Sequence, residues 1–183
     1  LTAADILVET LIAWEVDTVF GLPGDGINGV MEALRTRQDR IRFIQTRHEE
    51  SAAFMASAHA KFTGKLGVCL ATSGPGGTHL ITGLCDAALD QAPVLAITGL
   101  QAHDLIDSFT QQDIDLSRMI GNIAVFDTKV ASAAHMETVA GLACRAALTR
   151  RGVAHLSIPA DMQVQRLEDS PRSSRNRPGH VPN

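Results

Sequence analysis

The sequence predicts an α/β domain, a doubly wound, six-stranded, mainly parallel sheet with helices on both faces. Three observations predict it. Six short apolar runs alternate with segments of helical spacing, the βα order that builds a parallel sheet. Two of these runs, residues 66–71 and 94–98, are almost continuously apolar, as expected of strands covered on both faces. Glycine- and proline-rich turns lead from strands straight into helices, where open α/β sheets place their ligands.

The elements follow in order. Ile6, Leu7, Leu11 and Trp14 lie at helical spacing opposite Asp5 and Glu9, and Thr2 is an N-cap by type. Residues 17–20 are a short strand, and the breakers from Gly21 to Gly26 form a loop. Residues 27–37 place Val30, Met31 and Leu34 on one helical stripe. A strand over 41–46 leads into an Ala-rich helix over 49–63. After the strand at 66–71, a second run of breakers precedes a helix over 78–91, and Pro93 introduces the strand at 94–98. Residues 99–121 are polar and long for a structureless connection, so a short helix and a contribution to a site are expected there. A strand at 124–130, a helix at 137–150 and a strand at 153–158 complete the pattern. Residues 170–183 hold three of the seven prolines, three arginines and no acidic residue, which reads as a linker or tail. The domain boundaries are therefore 1–165 and 166–183.

Composition narrows the function classes. The chain has 183 residues, 45% of them hydrophobic, and a net charge of −4, so nothing pulls it toward nucleic acid. Cys69, Cys85 and Cys144 are odd in number and widely spaced, which suits small buried or half-buried residues of a reducing, cytoplasmic compartment. No apolar run is long enough for a membrane span. Leu1 stands first, without Met or signal peptide, and reads as a trimmed start.

The motifs admit several readings. Gly24-Asp25-Gly26-Ile27-Asn28-Gly29 fits G-x-G-x-x-G, with Glu49 and Glu50 further on as in a dinucleotide site. Against this, Asp25 would set a carboxylate beside a pyrophosphate, and a helix precedes the first strand. A tight strand-to-helix turn needs the same glycines, with Asp25 available to cap the helix. Ser73-Gly74-Pro75-Gly76-Gly77 lacks the Gly-Lys-Ser/Thr of a P-loop, but its backbone can approach a flat ligand. His48-Glu49-Glu50 lacks the second His of a zinc helix, since position 52 is Ala, and no metal ligands are assigned. Glu49 and Glu50 both open a helix, where a carboxylate also compensates the dipole.

Taken together, Phe20-Gly21-Leu22-Pro23-Gly24, Arg47-His48-Glu49-Glu50, Thr72-Ser73-Gly74-Pro75-Gly76, His79-Leu80-Ile81-Thr82-Gly83-Leu84-Cys85-Asp86-Ala87 and Pro93-Val94-Leu95-Ala96-Ile97 stand in an order that resembles the N-terminal, pyrimidine-binding domain of thiamine diphosphate enzymes. The pyruvate oxidase and acetolactate synthase type is the most similar, over about residues 1–165. The resemblance implies that Glu49 is catalytic, bonding the aminopyrimidine ring nitrogen so that the cofactor's reactive carbon loses a proton and can attack a 2-keto acid such as pyruvate. Desolvation raises a carboxylate's pKa, so a buried Glu can share a proton with a weakly basic ring nitrogen. By the same carry-over Pro23, Gly24, Thr72, Ser73, Gly74, Pro75 and His79 line the cofactor, and His79 favours the oxidase-like branch.

The resemblance departs in one segment. The family's Phe-Gln-Glu near the substrate is here Phe109-Thr110-Gln111-Gln112-Asp113, so Gln111 and Phe109 match only with a shift. The resemblance also implies a second thiamine domain carrying the diphosphate and Mg²⁺, supplied by a partner subunit in a homodimer or tetramer. It allows a flavin (FAD) in a middle domain. Gly24-Asp25-Gly26 does not stand in for that metal motif, because residues 50–55 contain no Asn. The expectation is an N-terminal fragment of a longer enzyme, inactive alone. A carboligase of the acetolactate synthase type and a free-standing, non-catalytic partner subunit are the alternatives.

Overall fold

The computed structural model describes residues 1–169. Its sheet has six strands in the order β2-β1-β3-β4-β6-β5, namely β1 (Thr18–Gly21), β2 (Arg42–Gln45), β3 (Gly67–Ala71), β4 (Val94–Leu100), β5 (Ala124–Lys129) and β6 (Val153–Pro159). All five strand pairings are parallel. The doubly wound α/β expectation is met.

Alternation along the central strands divides the core. Val68 and Leu70 of β3, with Leu95 and Ile97 of β4, face α1 (Ala3–Ala13), α2 (Asn28–Arg35) and α7 (Ala133–Arg150). Cys69 and Ala71, with Val94 and Ala96, face α3 (Glu49–Thr63), α5 (Ile81–Leu89) and α6 (Leu116–Ile120). The second face is built from small residues, and this sets its spacing. A Cβ on Gly67 would lie 2.1 Å from the Ala56 carbonyl oxygen, and one on Gly83 would lie 2.6 Å from the Ala53 Cβ. Ala52, Ala53, Ala56 and Ala60 therefore let α3 lie directly against β3 and α5.

The chain ends of the elements obey local chemistry. Thr2 caps α1 in a reciprocal capping box with Asp5, as its type predicts. The expected helix at 78–91 is in fact two, α4 (Pro75–His79) and α5, and it starts three residues earlier. Pro75 at the first helical position, preset to helical φ, explains the early start. α7 likewise begins at Ala133, because the Ser132 side chain accepts the His135 N–H. Asp25 does not cap a helix: Gly24 precedes the 3-10 turn Asp25–Ile27, and no side chain caps either that turn or α2.

A short α8 (Ala160–Val164) follows β6. Its Gln163 is buried and donates to the Gly26 carbonyl at 2.7 Å, tying α8 to the turn after β1. The first residues assigned to the tail fold back: Arg166 forms a bridge with Thr2, and Leu167 N–H donates to the Leu1 carbonyl at 3.0 Å. The rest of the expected tail, 170–183, lies outside the described residues.

Candidate active site

The strand order fixes where a site can lie. From β1 the chain crosses to β2 at one edge; from β3 it crosses the other way to β4. The two connections diverge, and leave a crevice at the carboxyl ends of β1 and β3. The turn after β1 carries Pro23 and Gly24, and the turn after β3 carries Thr72, Ser73, Gly74 and Pro75. They are joined directly, since Gly26 N–H donates to Thr72 Oγ1 at 2.9 Å.

Glu49 enters the crevice from the neighbouring strand. β2 ends beside β1, where Thr46 N–H donates to the Gly21 carbonyl at 2.8 Å. His48 is extended and its Nδ1 accepts the Glu50 N–H at 3.2 Å, so the helix starts at Glu49. Glu49 is 7% exposed, whereas Glu50 is half-buried. The Glu49 Oε2 lies 3.0 Å from His79 Nδ1 on α4, and the His79 ring stacks on His48 with centroids 4.6 Å apart.

Two glycines are required here. Gly74 has φ 59° and ψ −120°, a conformation L side chains avoid, and a Cβ there would lie 2.7 Å from the Gln112 carbonyl oxygen. A Cβ on Gly76 would lie 3.3 Å from Glu49 Oε1 and 2.7 Å from Thr72 Cγ2. Glycine at 76 thus leaves one carboxylate oxygen uncovered while His79 engages the other.

Beyond the Ser73–Gly74 turn is a polar cavity of about 170 Å³, lined by Asp25, Gly26, Ser73, Leu100, Gln101, Gln111, Gln112 and Ala160. Ser73 Oγ donates to Gln112 Oε1 at 2.9 Å. Its wall is the connection after β4, pinned to α8 by His103, whose backbone N–H and ring both bond the Asp161 carboxylate. That bond holds the His103 pKa above the usual imidazole range.

The fold thus gathers Gly24, Glu49, Thr72, Ser73, Gly74 and His79 at one crevice, with Pro23 exposed at its rim and Gln111 at the adjoining cavity. Phe109 is not brought in: its ring is 98% exposed, on a loop where Asp107, Phe109 and Gln112 all have positive φ. Gln112, passed over in favour of Gln111, makes the contact to Ser73. The pairing of His48 with His79 was invisible in spacing, because thirty-one positions, with α3 and β3 among them, separate them. Among the described residues, His48, Glu49 and His79 form the one cluster of three or more His, Cys, Asp or Glu whose donor atoms lie within 4.8 Å of one another.

Comparisons with known proteins show the family. Residues 1–119 match the family model of the thiamine pyrophosphate enzyme, N-terminal TPP binding domain. The YdaP protein of Bacillus subtilis is 44% identical over 93% of this chain and 30% of its own length. Pyruvate oxidase of Lactiplantibacillus plantarum is 40% identical over 91% of this chain and 28% of its own. Acetolactate synthase of Mycobacterium bovis is 36% identical over 100% of this chain and 30% of its own. The chain spans less than a third of the length of these relatives. It belongs to the thiamine pyrophosphate enzyme family, as an N-terminal TPP binding domain.

Proposed function

We propose that this family member forms the pyrimidine side of an active site for pyruvate or a similar 2-keto acid, with Glu49 as the activating residue. The observation that carries the reading is the environment of the Glu49 carboxylate. It is buried, one oxygen is engaged by His79, and the other is kept open by a glycine that a Cβ would fill. An open carboxylate oxygen in a dry crevice suits a neutral ring nitrogen with which it can share a proton. Two glycine turns on either side leave room for a flat ring.

When bound, thiamine diphosphate supplies a carbon that adds to the keto group and takes up the electron pair left by decarboxylation. The chain's own contribution is local. Glu49 holds a proton at the ring nitrogen, His79 orients Glu49, and the turns around Gly24 and Gly74 position the ring. Gln111 and Gln112 offer amides to a polar substrate at the adjoining cavity.

The pyruvate oxidase relative and His79 support decarboxylation of the oxidase type. The acetolactate synthase relative, aligned along the whole chain, supports carboligation as the second reading. We assign the diphosphate and Mg²⁺ to a second domain from a partner subunit, in a homodimer or tetramer, and leave FAD to the oxidase branch.

Glu49→Gln in the complete enzyme tests the reading. The variant keeps size and fold but cannot hold the shared proton. Turnover of pyruvate is expected to fall roughly 10²–10⁴-fold, the range for loss of a positioned acid or base. Proton exchange at the cofactor's reactive carbon, followed by NMR, should fall with it. Turnover at the wild-type rate would sink the assignment.

A further inference from the structure

We propose that His48, Glu49 and His79 constitute a binding site for a transition-metal ion of the zinc type. The metal site stands on geometry alone. Only its consequence, that the ion opposes binding of a cofactor ring at Glu49, rests on the reading above.

The donor set comes first. Two imidazoles and one carboxylate suit Zn²⁺, Co²⁺ or Ni²⁺, whereas Mg²⁺ and Ca²⁺ prefer all-oxygen shells. The site therefore selects against the ion expected to accompany a diphosphate. The spacing is also suitable. His79 Nδ1 and Glu49 Oε2 are 3.0 Å apart. Donors around a tetrahedral zinc with bonds near 2.0 Å stand about 3.3 Å apart. An ion can replace the proton between these two atoms with little movement, as the His79 proton passes through solvent to Nε2.

His48 closes the set. All three donor atoms lie within 4.8 Å, so the His48 side chain must turn inward to ligate. It has the room to do so, being 49% exposed as His79 is 48% exposed, and the turn gives up part of the stacking between the two rings. His48 Nδ1 now caps the Glu50 N–H, and ligation through that atom gives up the cap, at a cost of about fivefold in affinity. Affinity is therefore expected in the micromolar range, a reversible site and not a structural one. Solvent or an anion fills the fourth position.

Occupancy would tie up Glu49 Oε2 and draw the carboxylate's charge onto the ion, so that Oε1 no longer carries the charge that holds the ring proton. A zinc-type ion thus acts as an inhibitor that opposes binding of the pyrimidine ring.

Co²⁺ titration of the 183-residue chain, without cofactor, tests the site by its visible d–d absorption. A 1:1 tetrahedral spectrum is expected, displaced by Zn²⁺ and not by Mg²⁺. His48→Ala, His79→Ala and Glu49→Gln should each weaken it at least tenfold, the scale for loss of a positioned metal-site group. His59→Ala, on the same helix as Glu49, should leave it unchanged. Circular dichroism checks that each variant folds. Absence of binding up to about 1 mM Co²⁺, or binding that survives the His48 and His79 substitutions, overturns the proposal. If the spectrum behaves as expected while Glu49→Gln enzyme keeps full turnover, the metal site stands and the assignment of Glu49 falls.

Discussion

Burial separates the three cysteines more sharply than their sequence context does. Cys69 on β3 and Cys144 on α7 are fully buried, and burial pushes each thiol up to about 12. Nucleophilic thiolate is then nearly absent at neutral pH. Cys85 on α5 is half-buried. Titration of the native chain with a disulfide reagent near pH 8 is expected to modify one thiol, lost in Cys85→Ser, with the other two reacting only after unfolding in denaturant. Two fast thiols in the native chain would contradict the packing of the sheet faces. The same residue-scale contrast marks the crevice: of two adjacent glutamates in the first helical turn, Glu49 is buried against His79 while Glu50 is only half-buried. Sequence type could place both at a helix start. Only the turn after β3, which brings His79 across, distinguishes them.

At the scale of elements, the strands were legible to within a residue or two: the inner ones because a strand covered on both faces is apolar, the half-buried edge strands β2 and β5 by short apolar runs alone. α3 matched over Glu49–Thr63, since its alanines repeat at helical spacing and Gly64 ends it with φ 72°. What escaped was set by backbone geometry that composition does not encode. The break at Leu80 between α4 and α5 has no proline or glycine at the break itself, α8 is too short for periodicity, and the loop at 107–112 turns on residues that ordinarily avoid positive φ. The crevice was legible because glycines mark both its turns, but the Ser73–Gln112 contact depends on that unusual loop. Helix ends carry a testable consequence. Arg151 terminates α7 in the left-handed region with φ 51°, where glycine is the usual residue, and its side chain is exposed. Arg151→Gly removes that strain and is expected to stabilise the chain by about 1 kcal/mol. With α7 packed against α1, β4, β5 and β6, the gain should appear in the global unfolding midpoint by urea titration. An unchanged or lowered midpoint would mean that the strain at Arg151 does not exceed the freedom glycine adds to the unfolded chain.

At the scale of the whole molecule, the reading proposed above makes the described residues one wall of a cofactor site. They supply a carboxylate, two glycine turns and a polar cavity. Among them, the one cluster of three or more His, Cys, Asp or Glu with donor atoms in reach of one another is His48, Glu49 and His79, and that set prefers softer metals than Mg²⁺. On the reading proposed above, the anionic end of the cofactor is held by the second domain. Binding of thiamine diphosphate with Mg²⁺ to the 183-residue chain is expected to be weak, with a dissociation constant of about 1 mM or more. At 1 mM ligand, such affinity stabilises the fold by at most about 0.4 kcal/mol. For a domain of this size that is a rise in melting temperature on the order of 1 °C. A site complete in itself, with a dissociation constant near 10 µM, would give about 2.7 kcal/mol at the same ligand concentration. The rise would then be roughly 5–10 °C. The two outcomes are far enough apart for a single thermal melt to separate them. A shift of the larger size, abolished by Glu49→Gln, would show that this domain holds the cofactor unaided and that no second wall is needed.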